Sequence, residues 1–193
     1  MTVAAYVGCP RSGKSTLALS HAGEDVRRTG WPLLVVNWQG VATFSRVRSV
    51  DTLAGAVDSL WSLGSSCQWR PPSLDEFARL MDAVIEGGKV NVLIDEARWC
   101  LSAASISRPL SLLLRSTQHT GDVARALPLN VRLTTQAFRD LHSDALACVE
   151  ELIVFRCTAP RDLERLRGEY GMDSQAVRSL PRFEFIRQLA GFA

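Results

Sequence analysis

Gly8-Cys9-Pro10-Arg11-Ser12-Gly13-Lys14-Ser15 sets two glycines, a lysine and a hydroxyl at the spacing of a phosphate-binding loop, G-x-x-x-x-G-K-[ST]. The chemistry is anion capture. Glycines let the backbone curl so that successive N–H groups, from Gly8 through Thr16, point inward at phosphate oxygens. The N-terminus of a following helix adds partial positive charge. Lys14 is placed to reach the β- and γ-phosphates of ATP, and the Ser15 hydroxyl to ligate Mg²⁺.

Two later segments supply complementary groups. Val90-Asn91-Val92-Leu93-Ile94 is an apolar run that ends in Asp95-Glu96. The first acid, at the tip of a buried strand, suits the water shell of Mg²⁺. The second can lean toward the γ-phosphate and deprotonate an attacking water. Val131-Arg132-Leu133-Thr134-Thr135-Gln136 is a further strand that ends in polar groups. Gln136 is placed either to sense the γ-phosphate or to hold the water that attacks it.

These groups need a scaffold that brings strand ends together. Short runs rich in Val, Ile and Leu alternate with amphipathic stretches, the pattern of an α/β protein with a largely parallel sheet covered on both faces. Strands are expected at Val3–Val7, Leu33–Asn37, Val90–Ile94, Val131–Thr134 and Leu152–Arg156, with a last one at Phe183–Arg187. Helices are expected at Lys14–Arg28, Thr52–Leu63, Leu74–Glu86, Pro109–Thr117 and Arg161–Tyr170. Ser73 followed by Glu76 forms a capping box for the third helix. Ser62–Ser66 reads as a loop and Trp69-Arg70-Pro71-Pro72 as a turn or rigid connector. The fold expected is a phosphate-loop NTPase of the RecA/ASCE-like kind: a three-layer sandwich around a mostly parallel sheet. Residues 1–193 read as one domain, with no internal repeat.

Composition narrows the partners. The chain has 193 residues, 47% hydrophobic and 22% charged, with net charge +2. That balance does not by itself indicate nucleic-acid binding. Of 22 basic residues only Lys14 and Lys89 are lysines, which leaves 20 arginines. Arginine is the better fork for phosphate; a GC-rich or heat-adapted source explains the bias equally well. Five cysteines and three histidines are scattered without metal-ligand spacing. Free thiols suit a reducing cytosol. No apolar run approaches the roughly 20 residues that span a bilayer, and the N-terminus lacks the basic region of a secretory signal. The expectation is a cytoplasmic protein without stable membrane insertion.

The order of phosphate loop, Asp-Glu strand and Thr-Gln strand resembles the HerA/FtsK superfamily of DNA-pumping ATPases. Leu152-Ile153-Val154-Phe155-Arg156, then Pro160-Arg161-Asp162-Leu163-Glu164-Arg165-Leu166, and finally Gly171-Met172-Asp173 with Ser179-Leu180-Pro181, are similar to the strand, helix and turn that follow in that family. A bare core of this size looks most like the genome-packaging ATPases of tailless viruses with an internal membrane. The chain departs from that pattern in Arg11, where glycine is common, and in Asn37, where several relatives carry an acid.

The resemblance implies a homo-oligomeric ring, a pentamer or hexamer, that threads double-stranded DNA and works against a capsid vertex or portal protein, in host cytoplasm or on the virion. It implies ATP at the junction between protomers, with a neighbour's arginine completing the site. Arg115 is the first candidate; Arg98 and Arg125 are alternatives. Arg46 and Arg48 are candidates for phosphate contacts with DNA. Two other readings stand beside it. A small-molecule or nucleoside kinase uses the same loop but needs an acceptor pocket and a lid, and no lid-like insertion is present. A filamentous-phage-type assembly or export ATPase normally carries a membrane segment.

Overall fold

The computed structural model describes residues 2–40, 44–102, 105–116 and 129–189. Thr117, His119 and Arg125 lie outside them. In chain order the strands are β1 (Thr2–Val7), β2 (Leu33–Asn37), β3 (Arg48–Val50), β4 (Cys67–Trp69), β5 (Val90–Asp95), β6 (Leu101–Ser102), β7 (Ser105–Ile106), β8 (Leu129–Thr135), β9 (Glu151–Phe155) and β10 (Phe185–Leu189). The helices are α1 (Lys14–Thr29), α2 (Leu53–Val57), α3 (Leu74–Gly87), α4 (Arg108–Ser116), α5 (Ser143–Leu146), α6 (Pro160–Tyr170) and α7 (Ser174–Ser179).

Eight strands form one sheet in the order β10-β9-β1-β8-β5-β2-β4-β3. Every pairing is parallel except β10 on β9. β6 and β7 make a separate antiparallel hairpin. The arrangement is the mostly parallel α/β sandwich that the alternating pattern predicts.

Strand alternation divides the core between two faces. Val3, Ala5 and Val7 of β1 join one cluster with Val92 and Ile94 of β5, Val131 and Leu133 of β8, and Phe77, Leu80, Met81 and Val84 of α3. Ala4, Tyr6, Val35, Leu93 and Ile153 face the other way and pack on Ala18 and Ala22 of α1. Asp95 falls on the α1 side with Leu93, and Thr134 falls there with Arg132, by the same period of two. Arg132 ties that helix to the sheet. Its Nε and Nη2 both lie 2.7 Å from Asp25 Oδ2 of α1, and Nη1 donates to the Tyr6 hydroxyl. The Tyr6 hydroxyl in turn lies 2.8 Å from His21 Nδ1. The buried Arg132 of β8 thus bonds both α1, through Asp25, and β1, through Tyr6.

Three expectations shift. The helix expected over Thr52–Leu63 is α2 followed by a π-helical turn, Asp58–Ser62, closed by Leu63 N–H donating to Asp58 O at 3.0 Å. The widened turn accompanies Trp61, whose Nε1 donates to Gly88 O at 3.2 Å, a contact from a distant part of the chain. Trp69 is not part of a connector but the end of β4, 1% exposed in the core. β3 and β4 are three residues each, too short to show periodicity. The last strand begins at Phe185 rather than Phe183, which instead turns with φ 73°. The N-cap half of the expected capping box is present: Ser73 Oγ accepts from Glu76 N–H at 3.2 Å. Among the described residues no helix is long and apolar enough to cross a membrane.

Candidate nucleotide site

β1 lies between β8 and β9, and β8 separates it from β5. Their C-terminal ends therefore deliver the phosphate loop, Gln136 and the Asp95-Glu96 pair to one edge of the sheet. The loop extends the pairing of β1: Gly8 N–H donates to Thr135 O at 3.3 Å and Cys9 N–H to Arg156 O at 2.9 Å. Gly8 has φ 151°, and a Cβ there would stand 2.7 Å from Phe155 Cβ, so only glycine lets the chain leave the strand this close to β9. Arg11 takes φ 61°. That left-handed conformation costs a non-glycine residue about 1–2 kcal/mol.

α1 begins without a side-chain cap and without an acid in its first turn. Its first amides are thus left for an external anion. A cleft of about 370 Å³ opens over them, lined by Pro10, Arg11, Ser12, Gly13, Lys14, Ser15, Thr16, Gln39, Asp95, Glu96 and Gln136. Gln39 stands just past β2 with no sequence pattern around it to mark it as part of the site.

The polar groups are organised as a relay. Ser15 Oγ donates to Asp95 Oδ1 at 2.6 Å. Thr134 Oγ1 donates to the same oxygen at 2.8 Å and accepts from Glu96 N–H at 3.0 Å. Glu96 sits in the left-handed region, φ 53°, which turns its side chain off the strand axis. Gln136 Nε2 donates to Glu96 Oε1 at 2.7 Å. Glu96 Oε2 is buried with no hydrogen-bond partner, and Arg98 Nε stands 3.5 Å from it. Lys14 is 5% exposed, and its Nζ donates to Cys9 O at 2.9 Å. Burial lowers the Lys14 pKa from its ordinary value, against the opposing pull of Glu96 and Asp95. Such an ammonium gains more from a phosphate than an exposed one does.

Thr134 has a larger part than the T-T-Q string alone conveys: it is fully buried and joins the Asp95 carboxylate to the backbone N–H of Glu96. Thr134→Val keeps the shape, strands the buried Glu96 N–H and leaves Asp95 Oδ1 with Ser15 Oγ as its remaining donor. We expect a loss of about 1–3 kcal/mol in urea unfolding.

The residues fit a magnesium nucleotide. A hydroxyl and a carboxylate in contact are hard oxygen donors of the kind Mg²⁺ prefers. Ser12 Oγ is buried without a hydrogen-bond partner, as is Glu96 Oε2. Lys14, Ser15, Asp95, Glu96 and Gln136 are thus brought together. Arg98 joins them within the same protomer. Arg115 does not line the cleft: it ends α4 in an exposed ion pair with Asp144 at 2.9 Å.

No protein-family signature and no curated protein matches the chain. Solved structures do. The genome-packaging NTPase B204 from Sulfolobus turreted icosahedral virus 2, in complex with ATP-γ-S, superposes with TM-score 0.77 at 16% identity over 98% of this chain and 92% of that one. Its AMPPCP complex gives 0.77 at 18% identity over 97% and 92%. The pCW3 conjugation coupling protein TcpA, solved with ATP-γ-S, gives 0.62 at 14% identity over 98% of this chain and 58% of that one. At these identities the likeness is one of fold, and in fold the chain is a phosphate-loop NTPase of the architecture shared by the viral packaging NTPase B204 and the coupling protein TcpA, as its motifs indicated.

Proposed function

We propose that the protein binds ATP with Mg²⁺, hydrolyses it and uses the cycle to move double-stranded DNA in genome packaging. The observation that carries this reading is the convergence of Lys14, Ser15, Asp95, Glu96 and Gln136 on one cleft at the N-terminus of α1. The fold shared with a packaging NTPase and a conjugation coupling protein supports it.

The loop amides and Lys14 hold the β- and γ-phosphates, and Lys14 exchanges Cys9 O for phosphate oxygen. Ser15 Oγ and Asp95 would hold Mg²⁺, whose charge, when bound, offsets the charge that develops on the transferred phosphoryl group. Thr134 fixes Asp95 by donating to it, so the acid stays in position for Ser15. Glu96 accepts the proton of the attacking water. Gln136 holds Glu96 in place and, from the same amide, reports whether the space beside it is filled. The buried Glu96 suits water as nucleophile better than a bulky acceptor hydroxyl, which favours a hydrolase over a kinase.

In a homo-oligomeric ring, a pentamer or hexamer, Arg115 enters the neighbour's cleft. Its exposed pair with Asp144 is weak enough to open. A cross-subunit arginine of this kind is worth about 10³–10⁵ in rate. Arg46 and Arg48 are exposed near the β3 edge and are offered to DNA phosphates. A capsid vertex or portal protein would anchor the ring.

The test is ATP turnover with and without duplex DNA, beside molar mass in solution. We expect turnover without any phosphoryl acceptor, stimulation by duplex DNA, and a ring mass. Turnover only with a small-molecule acceptor would return the kinase reading; recovery in the membrane fraction would return the export ATPase. Arg115→Ala subunits mixed with Lys14→Ala subunits should regain part of the activity, and mixed rings that assemble without rescue would remove Arg115 from the interface.

A further inference from the structure

A second chamber, of about 290 Å³, adjoins the nucleotide cleft, and Pro10 and Gln136 line both spaces. Its walls come from the phosphate loop, from the turn after β8 and from the chain between β9 and α6. Cys9 N–H, bonded to Arg156 O, joins the first of these walls to the third. Arg98 spans the boundary: it lines the chamber, and its Nε stands 3.5 Å from Oε2 of Glu96, which lines the cleft.

The charged groups of the chamber are Arg98, Arg139, Asp140 and Asp162. Its cations are loosely held. Arg98 Nε is 3.5 Å from Glu96 Oε2, and Arg139 Nη1 is 3.9 Å from Asp162 Oδ2. Both distances exceed those of a charge-assisted hydrogen bond, so both forks keep donors for a further anion. Asp162 is buried and already engaged, its Oδ1 accepting from Arg139 N–H at 3.0 Å. Asp140 is half-buried, and burial raises its pKa against the opposing pull of Arg139 and Arg98. A carboxylate in that setting is relieved by a partner that donates a proton to it. Thr158 adds a hydroxyl, 3.7 Å from Cys9 Sγ. Two guanidinium forks, a hydroxyl and an acceptor carboxylate together match a tetrahedral oxyanion that carries an O–H of its own.

Hydrolysis makes such an ion next door. Water oxygen bonds the γ-phosphorus, and the bond from that phosphorus to the bridging oxygen breaks, with the oxygen leaving on ADP. One water proton goes to Glu96, and the other stays on the new orthophosphate as its P–OH. We propose that the chamber is a holding site for the released orthophosphate, with Arg98, Arg139 and Thr158 donating to its oxygens and Asp140 accepting from its P–OH. The proposal rests on the hydrolase reading of the cleft and adds to it a second anion site, reached past Gln136. Sulfate, which has no proton to give at neutral pH, meets the Asp140 carboxylate as one anion meets another and is rejected.

Calorimetric titration of orthophosphate and of sulfate into protein saturated with Mg²⁺ and the β,γ-methylene analogue of ATP tests it, because the analogue fills the γ-phosphate position. In the wild type one orthophosphate should bind beside the analogue, and sulfate at least about tenfold more weakly. Arg139→Gln should weaken orthophosphate at least about tenfold and leave the analogue within about twofold, while Arg139→Lys keeps the charge and recovers most of the loss. Asp140→Asn should bring sulfate to within about threefold of orthophosphate. In single turnovers orthophosphate release should lag cleavage, and Arg139→Gln should shorten the lag at least about threefold, since weaker binding acts mostly through dissociation. Equal binding of sulfate in the wild type would overturn the proposal. So would an Arg139→Gln variant with unchanged orthophosphate affinity, an unchanged lag or an equal loss of the analogue. Orthophosphate that binds the Mg²⁺–ADP complex but not the analogue complex sits in the γ-phosphate position, so the chamber fails while the loop stands. If the analogue itself does not bind, the loop reading fails and takes the chamber with it.

Discussion

Glu96→Gln is expected to slow ATP turnover by about 10²–10⁴, the usual contribution of a positioned general base, while nucleotide affinity stays near wild type. The substitution preserves shape and removes one acid oxygen's basicity. Gln136 can still bond residue 96, because an amide carbonyl replaces Oε1 as acceptor of the 2.7 Å contact. Glu96 N–H keeps its bond to Thr134 Oγ1, so the turn after β5 is undisturbed. The lost partner is Arg98, which stands 3.5 Å from Oε2 and is 38% exposed, so water takes its place at little cost. Single-turnover hydrolysis and equilibrium binding, measured on the same preparation, separate the two effects. Normal turnover would place the base elsewhere; lost binding would make Glu96 part of the phosphate cradle.

Lys14→Ala is expected to weaken ATP by about 10² or more in Kd, since an ammonium on two phosphates makes charge-assisted bonds of about 1.5–3 kcal/mol each. Turnover should fall below detection. The effect reaches beyond one contact. Lys14 is buried, and its Nζ satisfies Cys9 O, so its loss leaves a loop carbonyl without that donor and takes a buried cation from beside Asp95 and Glu96, with Arg98 remaining 3.5 Å from Glu96 Oε2. Equilibrium titration with an ATP analogue checks the first effect, and wild-type turnover would remove the loop from the mechanism.

Much of this architecture is legible along the chain because the signals are local. A glycine loop between an apolar strand and a helix needs only neighbours in sequence, and β1 and α1 lie where the pattern sets them. The same holds for β2, whose bounds are those expected, and for the cap of α3, where a side chain three residues away answers an orphan amide. Signals fail where the cause is remote. The π-helical turn at Asp58–Ser62 goes with a bond from Trp61 to Gly88, 27 residues on. β3 and β4 exist because a sheet edge was free to extend, and three residues cannot display a period of two.

The site divides along the same line. Residue types and spacing alone determined the anion loop, the two acids and the glutamine, since each is a short string whose chemistry does not depend on the rest of the molecule. Only the tertiary structure decided that they meet. Strand order inserts β8 between β1 and β5, which sets Gln136 against Glu96 and lets buried Thr134 join the Asp95 carboxylate to the Glu96 backbone N–H. It also brings Phe183, 170 residues from Gly13 along the chain, onto the loop glycine itself. Parallel pairing between distant strands is a property of the whole sheet, settled by burial on both faces at once, and no local stretch of residues records it.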